Sequence, residues 1–204
     1  KMPKPFSQAC ENNRDPICQI LERVFADKSA ILEIGSGTGQ HAAWFAKKMP
    51  HLLWQTSDRI QNHPAIMEWL AEAALHNLVA PITLDVSQFD WPQVEYDGVF
   101  SANTAHIMSW PEAQQMVCGV ASALADGGIF GLYGPMQYSG VIEAESNRAF
   151  NARLKAQNQQ QGIREFNDLN ALAASQGMVL REDNPMPANN RLLVWQKSNN
   201  TSAC

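Results

Sequence analysis

The stretch "LEIGSGTGQH", residues 32–41, decides the fold. An apolar run meets an acid, Glu33, and then Gly35, Ser36, Gly37 and Gly39 before a helical pattern begins. A strand, a glycine-rich turn and a helix start together set backbone N–H groups and the positive end of a helix dipole beside a ligand. A dinucleotide site needs G-x-G-x-x-G, but Gln40 stands at the sixth position, and no Lys-Ser/Thr follows to make a triphosphate loop. A carboxylate at Glu33, aimed at the mouth of the turn, repels a pyrophosphate and favours a ligand that carries an ammonium and a sulfonium.

Outward from this turn, short apolar runs alternate with helix-period segments, the pattern of a parallel sheet covered by helices. "AILEI" (30–34), "LLWQTSD" (52–58), "APITLDV" (80–86), "YDGVFSAN" (96–103) and "GGIFGLYGP" (127–135) read as successive strands. Between them, Ala42, Phe45, Ala46 and Met49 recur at helical spacing, as do Ile66, Leu70 and Ala73, and Pro111–Leu124 forms a third helix. A polar helical region over 143–176 follows. "GMVLRED" (177–183) and "RLLVWQK" (191–197) come last, joined by "NPMPANN", which is too short for a crossover helix and so predicts an antiparallel pair.

The chain of 204 residues, 45% apolar, suits a single domain, with residues 1–12 and 198–204 as loosely ordered ends. Fifteen Lys and Arg against twenty Asp and Glu, with no basic block, argue against a nucleic-acid partner. No run approaches the roughly 18 apolar residues of a membrane span, and the first residues lack the apolar middle of a secretory signal, so a cytoplasmic protein is expected. Cys10, Cys18, Cys118 and Cys204 form no C-x-x-C pair and are expected as reduced thiols. The histidines show no metal-ligand spacing, and no metal is expected.

A ligand with an ammonium and a sulfonium is S-adenosylmethionine, and an acid followed by G-x-G-x-G after the first strand resembles the first motif of the class I S-adenosylmethionine-dependent methyltransferases. The resemblance implies a Rossmann-like α/β fold: a seven-stranded, mostly parallel sheet with a C-terminal antiparallel hairpin and helices on both faces. It also implies that Glu33 orients the methionine end, Asp58 takes the ribose hydroxyls, Asp85 the adenine amino group with Val86 against the ring, and Asn103 the ammonium through its carbonyl. "FSQACENNRDPI", "WQTSD", "SANTAHIMSW", "LYGP", "SNRAFNARL", "GIRE" and "MPANN" further resemble the methyltransferase-like 26 group, a domain of unknown function, over nearly the whole chain. Asn12, Asn151 and Gln161 depart from that group's pattern, where Arg, Asp and Trp are usual.

Methyl transfer is an in-line displacement governed by alignment and exclusion of water, so no catalytic triad is expected. His106, just past the fourth strand, is the candidate base, and Tyr133 a candidate wall of the acceptor pocket. Asn13 and Arg14 are placed to close over the cofactor carboxylate. Asn147, Arg148, Arg164, Asn189 and Asn190, in the late connections, suit a small polar or anionic acceptor. The expected function is therefore a small-molecule methyltransferase that converts S-adenosylmethionine to S-adenosylhomocysteine. A catalytically inactive module binding either ligand is the alternative, while Glu33 and Gln40 oppose a nicotinamide-dependent oxidoreductase. The acceptor, the pathway and the choice between monomer and homodimer are not written in these residues.

Overall fold

Along β1 (Ala30–Ile34) successive side chains bury on opposite faces: Ile31 on one, Leu32 and Ile34 on the other. That two-sided burial puts β1 at the centre of a sheet with helices on both faces. The computed structural model describes residues 4–88 and 91–199. In chain order the elements are α1 (Gln8–Val24), β1, α2 (Gln40–Lys48), β2 (Leu53–Asp58), α3 (His63–Ala73), β3 (Leu78–Thr83), β4 (Tyr96–Ala102) and α4 (Trp110–Ala123). Then come β5 (Leu124–Gly134), β6 (Met136–Gln137), α5 (Glu145–Gln157), β7 (Arg164–Glu165), α6 (Phe166–Ser175), β8 (Met178–Met186) and β9 (Asn190–Lys197).

The main sheet runs β3-β2-β1-β4-β5-β9-β8. β1 to β5 pair in parallel, and β9 is antiparallel to both β5 and β8. This is the seven-stranded, mostly parallel class I methyltransferase architecture with a terminal antiparallel hairpin. The order reverses between β1 and β4, so the connections leaving their carboxyl ends diverge and open a crevice there.

Two cores flank the sheet. Ile17 and Leu21 of α1, Phe45 of α2 and Ile31, Trp54, Phe100 and Tyr133 of the strands fill one. Met116, Val117 and Val120 of α4, Leu169 of α6 and Leu32, Val99, Phe130 and Trp195 fill the other. Asp97 fixes the register of β4 on β1 by accepting from the backbone N–H groups of Ser29 and Ala30, both at 2.8 Å.

Several expectations need correction. Residues 8–12 are not a loose end but the start of α1, capped by Ser7, whose Oγ accepts from the Cys10 N–H at 3.4 Å. Two polar first turns and Pro16, which has no N–H to donate, hid this helix from a reading by periodicity. The third strand stops at Thr83, leaving Asp85 in the loop beyond it, and the polar stretch after β5 divides into α5 and α6. The small parallel pair β6–β7 was not foreseen. Cys10 and Cys18 are free thiols. Cys204 and the last residues, 200–204, lie outside the described residues, as do residues 1–3. No described helix is long and apolar enough to cross a membrane.

Close approach of α1 to the sheet depends on Gly98. A Cβ there would lie 2.3 Å from Ile31 Cδ1 and 2.9 Å from Phe25 Cε1, two fully buried side chains. Gly98→Ala is expected to lower stability by about 1–3 kcal/mol through overpacking. Urea unfolding checks this, and an unchanged midpoint would show that α1 does not bear on β4 as described.

Candidate functional site

The connection from β1 to α2 is held from below. Ser36 donates its N–H to the Ser57 carbonyl at 2.8 Å and accepts the Ser57 N–H on its Oγ at 3.0 Å, which locks the turn onto β2. Gly39, at φ 90°, lies under α3: a Cβ there would come within 3.2 Å of Ile66 Cα and Trp69 Cβ. Gly37, at φ 60°, has nothing within 4 Å of its missing side chain, so its backbone stays open to a ligand.

Glu33 sits beneath this turn, on the α1 and α2 side of the sheet, and is 2% exposed. Trp54 Nε1 donates to its carboxyl at 3.4 Å. Burial pushes the Glu33 carboxyl up to about 7, against the hydrogen bonds from Ser36 and Trp54 and with the charge of Asp58. The side chain therefore underlies the glycine turn instead of pointing out of its mouth.

Asp58, closing β2, ties three segments together. Its Oδ2 accepts from the Gly37 N–H at 2.9 Å, and its Oδ1 from the Arg59 N–H at 2.7 Å and Asn62 Nδ2 at 2.9 Å. A carboxylate offers about four acceptor positions, so this one keeps about one, on Oδ2. Asp85 is held by Ser87, which donates its N–H at 3.0 Å and its hydroxyl at 2.6 Å. These bonds keep the Asp85 carboxyl below the usual carboxylate range, aided by Arg59. Arg59 spans Asp85 at 3.4 Å and Glu112 at 3.3 Å.

These elements enclose a cleft of about 500 Å³ at the carboxyl ends of β1, β2 and β4. Of the residues singled out from sequence, Gly35, Gly37, Asp58, Asp85, Val86 and Asn103 line it together. Glu33, Ser36 and Gly39 support it from behind. Asn103 has left-handed backbone, φ 58°, and its N–H donates to the Tyr133 carbonyl at 2.9 Å. Arg59, Asn62, Glu112 and Gln161 also line the cleft, and only Gln161 had drawn notice, as a departure from the resembled pattern. A signal for Glu112 was present: Ser109 and Glu112 form a reciprocal capping box at the start of α4.

Asn13 and Arg14 do not reach the cleft. Arg14 pairs with Glu11 at 2.9 Å, and its guanidinium lies 3.7 Å from the Trp44 ring centroid. The N-terminal segment does meet the glycine turn, through Gln40, whose amide accepts from the Ser7 N–H at 2.6 Å and donates to the Ser7 carbonyl at 3.2 Å. The residue that breaks the dinucleotide spacing is thus the anchor for the segment leading into α1.

His106 is buried past β4, its ring edge-on to Phe150 at 5.3 Å between centroids. Burial, with the nearby Arg164 charge, pushes it down to about 4, so the imidazole is neutral at pH 7. Tyr133 is buried on the α1 side, where burial pushes its hydroxyl up to about 12. That hydroxyl faces Asn190, short of a well-formed hydrogen bond.

The five polar residues expected at the acceptor divide. Asn147, Asn189 and Asn190 line a second cavity, of about 160 Å³, between α5 and the β8–β9 connection. Arg148 is spent on the carbonyls of Ile142 and Glu143, and Arg164 on those of Gly162, Met108 and Gln160.

Three solved structures show how common this architecture is among methyltransferases. An O-methyltransferase family protein from Burkholderia thailandensis superposes with a TM-score of 0.81 at 15% identity, over 91% of this chain and 56% of that one. An O-methyltransferase family 2 protein from Planctomyces limnophilus DSM 3776, solved with apigenin, gives 0.82 at 15% identity, over 93% and 57%. PigF, solved with SAH, gives 0.77 at 17% identity, over 90% and 55%. This chain therefore spans little more than half the length of those proteins, and at such identity the likeness is one of fold. A family model described as "Protein of unknown function (DUF938)" matches residues 4–197, and the chain belongs to that family.

Proposed function

We propose that this protein is an S-adenosylmethionine-dependent methyltransferase acting on a small acceptor. The observation that carries the reading is the charge of the cleft: among the described residues, Asp58, Asp85 and Glu112 line it against a single cation, Arg59, which is already shared between two of them. A net acidic cleft attracts a ligand bearing a sulfonium and an ammonium and repels a pyrophosphate. The fold of the O-methyltransferases described above and the resemblance to the methyltransferase-like 26 group support the same reading.

When bound, S-adenosylmethionine supplies an electrophilic methyl carbon on a positively charged sulfur. The remaining acceptor position of Asp58 Oδ2 serves a ribose hydroxyl, Asp85 and Val86 receive the adenine, and the open backbone at Gly37 lets the ligand approach closely. Asn103 directs its carbonyl to the ammonium, while Glu33 balances that charge from beneath. His106, neutral and weakly basic, accepts a hydrogen bond from the acceptor and so orients it, with most of the rate coming from alignment.

Calorimetric titration with S-adenosylmethionine, S-adenosylhomocysteine and NADH tests the reading. The two sulfur ligands are expected to bind saturably and NADH not at all; NADH binding alone would overturn it. Acceptor-dependent formation of S-adenosylhomocysteine separates an enzyme from a domain that only binds. Asp58→Ala is expected to weaken S-adenosylhomocysteine binding by about 1.5–3 kcal/mol, as the loss of a charge-assisted contact. Unchanged affinity in a folded variant would remove the ribose assignment.

Glu33 gives the binding a pH dependence. At about 7, the free protein holds Glu33 close to half protonated at neutral pH, while His41, pushed down to about 4 by burial, stays neutral. An ammonium placed above favours the carboxylate, so binding S-adenosylhomocysteine at pH 7 should release up to about half a proton, and affinity should rise from pH 6 to pH 8. 5′-Methylthioadenosine, which lacks the ammonium, should release none. Titration in two buffers of different ionisation enthalpy measures this, and equal release by wild type and Glu33→Gln would exclude Glu33 as the source.

A further inference from the structure

Asp58 and Arg59 are neighbours at the carboxyl end of β2, and both line the cleft. The side chain of Arg59, half exposed, crosses to two other elements of the cleft wall. Its Nε lies 3.4 Å from Oδ2 of Asp85, in the loop beyond β3, and its Nη2 donates to Oε2 of Glu112 at 3.3 Å, in the first turn of α4. Its backbone N–H is held by Asp58 Oδ1 at 2.7 Å. Arg59 is thus fixed at its backbone and at two of its guanidinium nitrogens.

Both acids divide their oxygens in the same way, one for their own segment and one for Arg59. Oδ1 of Asp85 takes the two hydrogen bonds from Ser87, and Oδ2 is turned to the guanidinium. Oε1 of Glu112 accepts the Ser109 N–H at 3.0 Å in the capping box, and Oε2 meets Arg59. A guanidinium is planar and its N–H groups lie in that plane, so partners at Nε and Nη2 stand along its edge and leave its faces open to other contacts. Ion pairs this exposed add little to stability, so the arrangement has small value as a staple of the fold. What it supplies is a flat group held in one place in the wall of the cleft.

A nucleoside in this cleft needs such a group. Among the described residues the lining offers Ile34, Leu84, Val86, Ala102, Ile107 and Met108 as apolar surface and no aromatic ring. A purine presents two broad π faces, which proteins meet with aromatic rings or with arginine planes. The guanidinium of Arg59 is the largest planar group among the described lining residues. Its place agrees: the remaining acceptor position of Asp58 is the one given to a ribose hydroxyl, and the base is joined directly to that sugar, within reach of the next residue in the chain. Pairing with two carboxylates also offsets the charge, which lowers the cost of covering the cation with a neutral ring.

We infer that the guanidinium of Arg59 is the platform on which the adenine of the cofactor stacks, and that Glu112 is a positioning residue that holds it flat. The inference rests on the methyltransferase reading and deepens it, giving the base a face contact in addition to Asp85 and Val86. It also gives the capping box a second use, since the box that starts α4 sets where Glu112 Oε2, and with it the guanidinium, stands.

The test is calorimetric titration of full-length variants with S-adenosylhomocysteine. Arg59→Lys keeps the charge and loses the plane, whereas Arg59→Tyr keeps a plane and loses the charge and both ion pairs. Arg59→Lys is expected to weaken binding about tenfold, and Arg59→Tyr to stay within about threefold of wild type. A role confined to the ion pairs predicts the reverse order. Glu112→Gln, which retains the capping acceptor, should weaken binding in the wild-type background and have no further effect in Arg59→Tyr. Arg59→Phe serves if Arg59→Tyr does not fold, with melting temperature as the control. Arg59→Lys that binds as tightly as wild type, or an aromatic variant that binds no better than Arg59→Lys, would overturn the platform. An equal loss from Glu112→Gln in both backgrounds would overturn the positioning role. Failure of S-adenosylhomocysteine to bind the wild-type protein would instead overturn the methyltransferase reading.

Discussion

The Asp58 carboxylate is the constraint on which the cleft depends. It receives the Gly37 N–H from the glycine turn, the Arg59 N–H from its own strand end and Asn62 from the approach to α3. Each donor belongs to a solvent-exposed residue that water could also serve, so what the carboxylate adds is a fixed separation of three segments, through hydrogen bonds to a charged group worth about 1.5–3 kcal/mol each. One side chain therefore sets the distance between the ends of β1 and β2, and with it the width of the site. Arg59, whose backbone Asp58 fixes, then carries its guanidinium to Asp85 and Glu112, so the far wall inherits its position from the same residue.

Beneath that cleft the sheet separates two electrostatic environments. On the α4 and α6 side the core is apolar, whereas on the α1 and α2 side Glu33 and His41 are buried among aromatic rings. Burial drives both toward neutrality, the acid upward and the imidazole downward. The free protein thus avoids a buried charge at pH values where each is neutral, and a cationic ligand above Glu33 reverses the balance. The acid that opens the motif is legible as chemistry only together with its depth, because an exposed glutamate would carry the same charge with or without a ligand.

Much of the fold was legible because strand burial leaves a trace in composition: "AILEI", "YDGVFSAN" and "GGIFGLYGP" read as buried strands, and the short Pro-rich link indicated an antiparallel terminal hairpin. α1 was illegible because its core-facing residues, Ile17, Cys18 and Leu21, are few and follow a proline. Within the site, residues attached to strand ends were legible: Asp58, Asp85 and Asn103 follow apolar runs and converge in one cleft. Arg59, Asn62 and Gln161 were not, since their places depend on how loops fold back over the sheet. Arg14 shows the reverse error. Its charge suggested a ligand, but a glutamate one turn away and an indole ring already occupy it.

The same accounting of spent and unspent groups separates the two cavities. Counting arginines near the sheet edge suggests a surface built for anions, yet each guanidinium close to the second cavity is already committed, Arg191 to a carboxylate and Arg148 and Arg164 to carbonyls. Arg191 is neutralised by its carboxylate partner, whereas Arg148 and Arg164 keep their charge, felt at His106 in the case of Arg164, but have turned N–H groups inward to carbonyls. Asn147 and Asn190 are likewise each committed through one amide N–H, to the carbonyls of Asn189 and Pro187. Sequence composition counts charges, whereas recognition depends on which of them remain unpaired, and only the folded chain distinguishes the two.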